Sequence, residues 1–134
     1  MKVQRAETPA ILAGHKAARD FFAPCFANGA MAREQLWVAH VDDAARCLDL
    51  SRYDGDHMSV GLPVRSIIAD AVRLGSAAIL LAHNHPSGDA TPSDMDRRMT
   101  RKLAAAVEAI DCAIVDHLVF STNEVRSFRQ MGLL

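Results

Sequence analysis

The feature that most constrains the fold is the stretch over residues 76–83, Ser-Ala-Ala-Ile-Leu-Leu-Ala-His, which is almost wholly apolar and stops at a loop rich in Pro, Ser, Gly and Asp. A strand with one wet face alternates polar and apolar side chains. A short run without that alternation needs cover on both faces. These residues are therefore expected to form the middle strand of a sheet with helices packed on either side.

The rest of the chain offers that cover. Thr8-Pro9, followed by Ile11, Leu12, His15, Ala18, Phe22 and Phe26, reads as an amphipathic helix over about 8–28, capped by Thr8 and ended by Asn28-Gly29. Pro63 opens a second helix with Val64, Ile67, Ile68, Ala71 and Val72 on its apolar stripe, and Gly75 closes it. A third is expected from Ser93 to about Ile110, with Met99, Leu103, Val107 and Ile110 facing inward. Strands are expected over 34–41 and 45–53, joined by a turn at Asp42-Asp43, and over 112–120. A second turn at Asp54-Gly55-Asp56 leads into a short extended piece over 58–62. In the tail, Phe128, Met131, Leu133 and Leu134 suit packing onto the body. Strands interleaved with three helices specify an α/β architecture, a mixed sheet covered by helices on both faces. The length of 134 residues fits a single domain over 1–134.

Charge and cysteines narrow the function classes. The 15 basic and 16 acidic side chains create no overall field that would draw the chain to nucleic acid or an anionic membrane. The longest apolar stretch, residues 77–82, is far too short to cross a bilayer. Lys2 and Arg5 are not followed by the apolar core of a secretory signal. Cys25, Cys47 and Cys112 are odd in number, widely spaced and set among apolar neighbours. Reduced buried thiols in a cytoplasmic protein are the expectation.

Chemistry concentrates in His83-Asn84-His85 and the following segment to Ser93-Asp94-Met95-Asp96, where the buried strand gives way to a helix. Residues two apart at a strand end point to one side, so His83 and His85 can aim both imidazoles at one ion while Asn84 points away. Counting back along the inward helix stripe, from Leu103 to Met99, Asp96 and Ser93, puts a carboxylate on the packed face. An unpaired buried charge costs several kcal/mol or more, so Asp96 calls for a cation. Two imidazoles and one carboxylate on zinc leave a fourth position open for water, the arrangement of catalytic sites. Ser93-x-x-Asp96 also reads as a helix capping box, and both readings can hold at once.

Other polar residues carry less. Asp116 and His117 are strand neighbours facing opposite sides, so they cannot act on one ligand together; a structural role is the favoured reading for His117, with support of a metal ligand from behind as the alternative. His15, His40 and His57 stand alone as packed or solvated side chains. Arg97, Arg98, Arg101 and Lys102 form a basic stripe, read as a solvated face or as a surface for an acidic substrate or nucleic acid.

The spacing His-x-His, seven residues, Ser, two residues, Asp resembles the JAMM metalloprotease motif of the JAB/MPN superfamily. More narrowly, PVRSIIADAVRLGSAAILLAHNHPSG over 63–88, DATPSDMD over 89–96, DHLVFS over 116–121 and SFRQMGLL over 127–134 are similar to the RadC family of bacterial JAB-domain proteins. The resemblance implies a cytidine-deaminase-like architecture, Zn2+ on His83, His85 and Asp96, and a Ser93 hydroxyl that donates to the developing oxyanion. It also implies that Glu34, in Arg33-Glu34-Gln35-Leu36, is the general base. By its own surroundings Glu34 is an exposed carboxylate at a strand edge, in parity with Leu36 and Val38. The implied reaction is hydrolysis of a peptide or isopeptide bond, with a peptide or protein substrate. The RadC resemblance also suggests a second reading, a non-enzymatic accessory module in DNA repair or mobile-element biology. Against that reading, the helix-hairpin-helix region of full-length RadC proteins is not expected here. A zinc deaminase and a zincin are both disfavoured, since neither His-x-Glu with Pro-Cys-x-x-Cys nor His-Glu-x-x-His occurs.

Overall fold

The structure, a computed structural model, describes residues 2–4, 9–54 and 63–134. Six strands form one mixed sheet: β1 (Lys2–Gln4), β2 (Gln35–Val41), β3 (Cys47–Asp54), β4 (Ala78–Asn84), β5 (Ala113–Phe120) and β6 (Val125–Ser127), in the spatial order β1-β3-β2-β4-β5-β6. The apolar run is the middle strand, as expected: β4 pairs antiparallel with β2 and parallel with β5. A parallel pair needs a crossover, and the helix between β4 and β5 provides it.

Among the described residues three α-helices cover the sheet: α1 (His15–Phe22), α2 (Val64–Leu74) and α3 (Asp94–Glu108). Alternation along β4 assigns them to faces. Leu80 and Ala82 pack with Trp37, Leu118 and the α1 residues Ala18 and Phe22. Ile79 and Leu81 pack on the other face with Ile67 and Ala71 of α2 and with Leu103 and Val107 of α3. The strand therefore buries side chains of both parities, which is why its sequence shows no polar alternation.

Local chemistry sets the helix ends. Gly75 takes φ 65° at the end of α2, a left-handed conformation costly for other residues, and Ser76 N–H returns to the Ala71 carbonyl at 2.9 Å. At the start of α3, Ser93 and Asp96 form the reciprocal capping box expected from Ser-x-x-Asp.

The first helix departs from the expectation of about 8–28. It spans only His15–Phe22, and 3-10 turns at Ala23–Phe26 and Ala30–Ala32 follow it. Two physical causes account for this. The backbone before it is committed to the sheet edge: Leu12 N–H reaches the Ala45 carbonyl and Cys47 N–H the Ala10 carbonyl, both at 2.8 Å. At the other end Pro24 has no N–H with which to continue the helical ladder. Of the expected apolar stripe Leu12, Ala18, Phe22 and Phe26 are buried and His15 is half-buried, whereas Ile11 is exposed because residues 10–12 run along the sheet edge and not in the helix. Thr8, the turn residues Gly55 and Asp56, His57 and the extended piece over 58–62 lie outside the described residues.

The tail packs through β6 on the edge of β5, the fully buried Phe128 and the half-buried Leu133 and Leu134, while Met131, expected to pack with them, is exposed. Cys25, Cys47 and Cys112 are free, and burial pushes all three thiols up, Cys25 to about 11. Among the described residues no helix is long and apolar enough to cross a membrane.

Candidate metal centre

The sheet brings His83 to the end of its middle strand on the face covered by α3, and the ring is fully buried. His85 lies two residues on, just past the strand, where its N–H bonds the Phe120 carbonyl at 2.8 Å. Its Nδ1 lies 2.7 Å from the Asp89 carbonyl. A carbonyl can only accept, so His85 Nδ1 carries a proton and the neutral ring has a bare Nε2. That Nε2 is 3.0 Å from His83 Nε2 and 3.1 Å from Asp96 Oδ2.

Asp96 comes from the first turn of α3 and is almost fully buried. Its Oδ2 accepts the Ser93 N–H at 2.9 Å and lies 3.4 Å from His83 Nε2, so one oxygen both caps the helix and faces the histidines. Ser93 Oγ in turn accepts the Asp96 N–H at 3.0 Å. The structure thus brings together His83, His85 and Asp96, with one potential ligand atom from each within 4.8 Å of the others, a group that could hold a metal ion. Burial favours a neutral Asp96 carboxyl, but the neighbouring His83 and His85 rings and the Ser93 N–H outweigh it and hold the group well below the usual carboxylate range. The Asp96 hydrogen bond raises His85 against its partial burial, whereas complete burial lowers His83.

Glu34 reaches the same corner through strand register. Leu36 pairs with His83 in the antiparallel β2–β4 ladder. Glu34 lies two residues before Leu36, just ahead of the start of β2. The half-buried Glu34 carboxylate is close enough to raise His85 electrostatically. Asn84, turned to the other side, holds this segment: its Oδ1 accepts the Gln35 N–H at 2.7 Å and its Nδ2 donates to the Arg33 carbonyl at 2.9 Å.

Two more residues join the site. His117 takes the alternative of its two expected roles, with Nε2 2.6 Å from His83 Nδ1 and its ring stacked on Phe128. Thr100 Oγ1 is 2.7 Å from His117 Nδ1 and 2.7 Å from the Asp96 carbonyl. Strand alternation contained the signal for His117, since it shares parity with Val119, which pairs with His83. For Thr100 the signal was its place one helical turn beyond Asp96. Asp116 does turn the opposite way, as expected: its carboxylate accepts the Ser127 hydroxyl at 2.6 Å and the Arg129 N–H at 3.1 Å. His40 packs at the other end of the sheet, its Nδ1 2.8 Å from Ser76 Oγ. Arg97, Arg98 and Arg101 line a separate cleft of about 380 Å³ with Asp94, Gly132 and Leu133.

Residues 12–133 match the RadC-like JAB domain. The chain belongs to this family. The UPF0758 protein YfjY of Escherichia coli (strain K12) is 31% identical over 129 residues, covering 96% of this chain and 79% of YfjY. A UPF0758 protein of Vibrio vulnificus (strain YJ016) is 38% identical over 101 residues, covering 75% of this chain and 45% of that protein. A third, from Symbiobacterium thermophilum, is 36% identical over 124 residues, covering 92% of this chain and 52% of its own. The chain thus spans about half the length of most of these relatives.

Proposed function

We propose that this RadC-like JAB domain is a zinc-dependent JAMM-type hydrolase that cleaves an amide bond, peptide or isopeptide, in a peptide or protein substrate. The observation that carries this reading is the triangle of His83 Nε2, His85 Nε2 and Asp96 Oδ2, with sides of 3.0, 3.1 and 3.4 Å. Ligands bonded at about 2.0–2.1 Å to a tetrahedral zinc ion stand about 3.3–3.4 Å apart, and three such ligands leave one vertex open. Imidazole and carboxylate donors suit zinc among the common divalent ions.

When bound, zinc supplies Lewis acidity, making water a nucleophile near neutral pH and polarising a carbonyl. Glu34 takes the proton from the attacking water and returns it to the leaving nitrogen. Ser93 Oγ already accepts the Asp96 N–H, so its own proton is free to be donated to the substrate oxygen as charge develops there. His85 and Asp96 are held in place by the Asp89 carbonyl and the capping box respectively.

Metal analysis of purified protein beside a His83→Ala, His85→Ala double variant tests the reading. One zinc per chain in the wild type and none in the variant is expected; wild type that stays metal-free in zinc-containing buffer overturns it. Glu34→Gln should keep the metal and lose amide turnover, and unchanged turnover would remove Glu34 from the mechanism. The accessory-module alternative has one observation behind it, the exposed Arg98, Arg101 and Lys102 on α3. Salt-dependent binding of duplex DNA, lost when these three are neutralised, would favour it.

A further inference from the structure

His117 and Thr100 are not among the three candidate ligands, but they hydrogen-bond two of them, His83 and Asp96, and these bonds fix where the protons of the centre lie. Counting begins at Thr100, whose hydroxyl has one proton. Its Oγ1 is 2.7 Å from the Asp96 carbonyl, which can only accept, so the proton is spent there. The 2.7 Å contact between Thr100 Oγ1 and His117 Nδ1 must then be a donation from the ring nitrogen. The His117 ring is fully buried against Phe128, and among the described residues no carboxylate is hydrogen-bonded to it. A neutral ring with its proton on Nδ1 has a bare Nε2. That Nε2, 2.6 Å from His83 Nδ1, must accept from it.

We propose that Thr100 and His117 are positioning residues that hold the His83 proton on Nδ1 and thereby keep His83 Nε2 bare as a metal ligand. The inference rests on the metal-binding reading above and adds the means by which a fully buried histidine is kept in the one tautomer able to bind. The Asp89 carbonyl does the same for His85, so two bare nitrogens and a carboxylate oxygen face one another. Three acceptors at 3.0–3.4 Å repel unless a cation or proton lies among them. The relay closes on itself, because the carbonyl taking the Thr100 proton belongs to Asp96, the third proposed ligand. Outer partners of ligating histidines typically contribute about 10–100-fold in metal affinity.

Thr100→Val keeps the side-chain shape and deletes the acceptor. Its His117 ring is expected to move the proton to Nε2, donate to His83 Nδ1 and push the His83 proton onto the ligand nitrogen. Thr100→Ser keeps the hydroxyl and serves as the rescue. Nitrogen-15 NMR of the histidine rings in metal-free protein, with zinc affinity from chelator competition, reads both consequences. The expected result is His83 protonated on Nδ1 in wild type and in Thr100→Ser, with Thr100→Val losing that tautomer and about 10–100-fold in zinc affinity. His83 protonated on Nε2 in the wild type overturns the proposal, as does a folded Thr100→Val that matches wild type in tautomer and affinity. Wild type with the Nδ1 tautomer but no zinc binding overturns the metal reading and leaves the tautomer relay standing.

Discussion

Asp96 accepts the Ser93 N–H through the same oxygen that faces His83 and His85, so stability and metal binding meet in one carboxylate. The two can be separated at Ser93. Ser93→Ala removes the cap acceptor, and a loss of about 1 kcal/mol is expected from the denaturant midpoint, with metal content unchanged. The histidines predict a pH profile for metal-free protein. Burial holds His83 and His117 below the ordinary imidazole value, so below about pH 6.5 the unfolded chain binds protons that the folded chain does not. Stability falls as pH drops through that range. His85 works the other way, because Asp96 raises it: its contribution is complete below about pH 6.5 and is lost as pH climbs through the raised value. Denaturation midpoints should therefore peak near neutrality and decline on the acid side, and a flat profile between about pH 5 and 7 would contradict a buried neutral pair.

At the scale of elements, α3 matters most because it presents three kinds of surface. Asp96 meets His83 and His85, Thr100 meets His117, Leu103 and Val107 fill the core beneath the sheet, and Arg98 and Arg101 face solvent. Leu103→Ala should cost about 2–5 kcal/mol, read as a lower denaturant midpoint, because the fully buried side chain leaves a cavity. The end of α2 makes a different prediction. A Cβ on Gly75 would meet nothing within 4 Å, so the cost of Gly75→Ala is conformational alone, about 1 kcal/mol at φ 65°. A neutral result there would mean the helix end relaxes out of the left-handed conformation.

At the scale of the whole molecule, the candidate ligands come from a strand, a loop and a helix that the unfolded chain does not hold together. Zinc should therefore stabilise the fold by mass action, by about 2.7 kcal/mol at a free concentration 100 times the dissociation constant. Thermal unfolding with and without zinc checks this, and the His83→Ala, His85→Ala variant should show no shift. The sheet order also explains why the site sits where it does. β4 lies between an antiparallel and a parallel neighbour, and its C-terminal end is where the chain leaves the sheet to begin the crossover through α3. Ligand sites in open α/β sheets favour such ends.

The sequence by itself determined the elements whose signals are local. The unbroken apolar run of β4, the glycine that ends α2 and the Ser-x-x-Asp start of α3 all act over a few residues, and so did the two-residue spacing that points His83 and His85 to one side. Only the tertiary structure decided what depends on register between distant strands. It shortened α1 by committing residues 10–12 to hydrogen bonds with the β2–β3 hairpin, and it brought Glu34, two residues before the Leu36 that pairs with His83, close enough to raise His85 electrostatically. It also decided between the two roles open to His117, making it the hydrogen-bond partner of His83, a contact 34 positions apart in the chain. Hydrophobic periodicity reports which face of an element is buried. It cannot report which polar side chain on another element will meet that face, because the pairing of strands decides this.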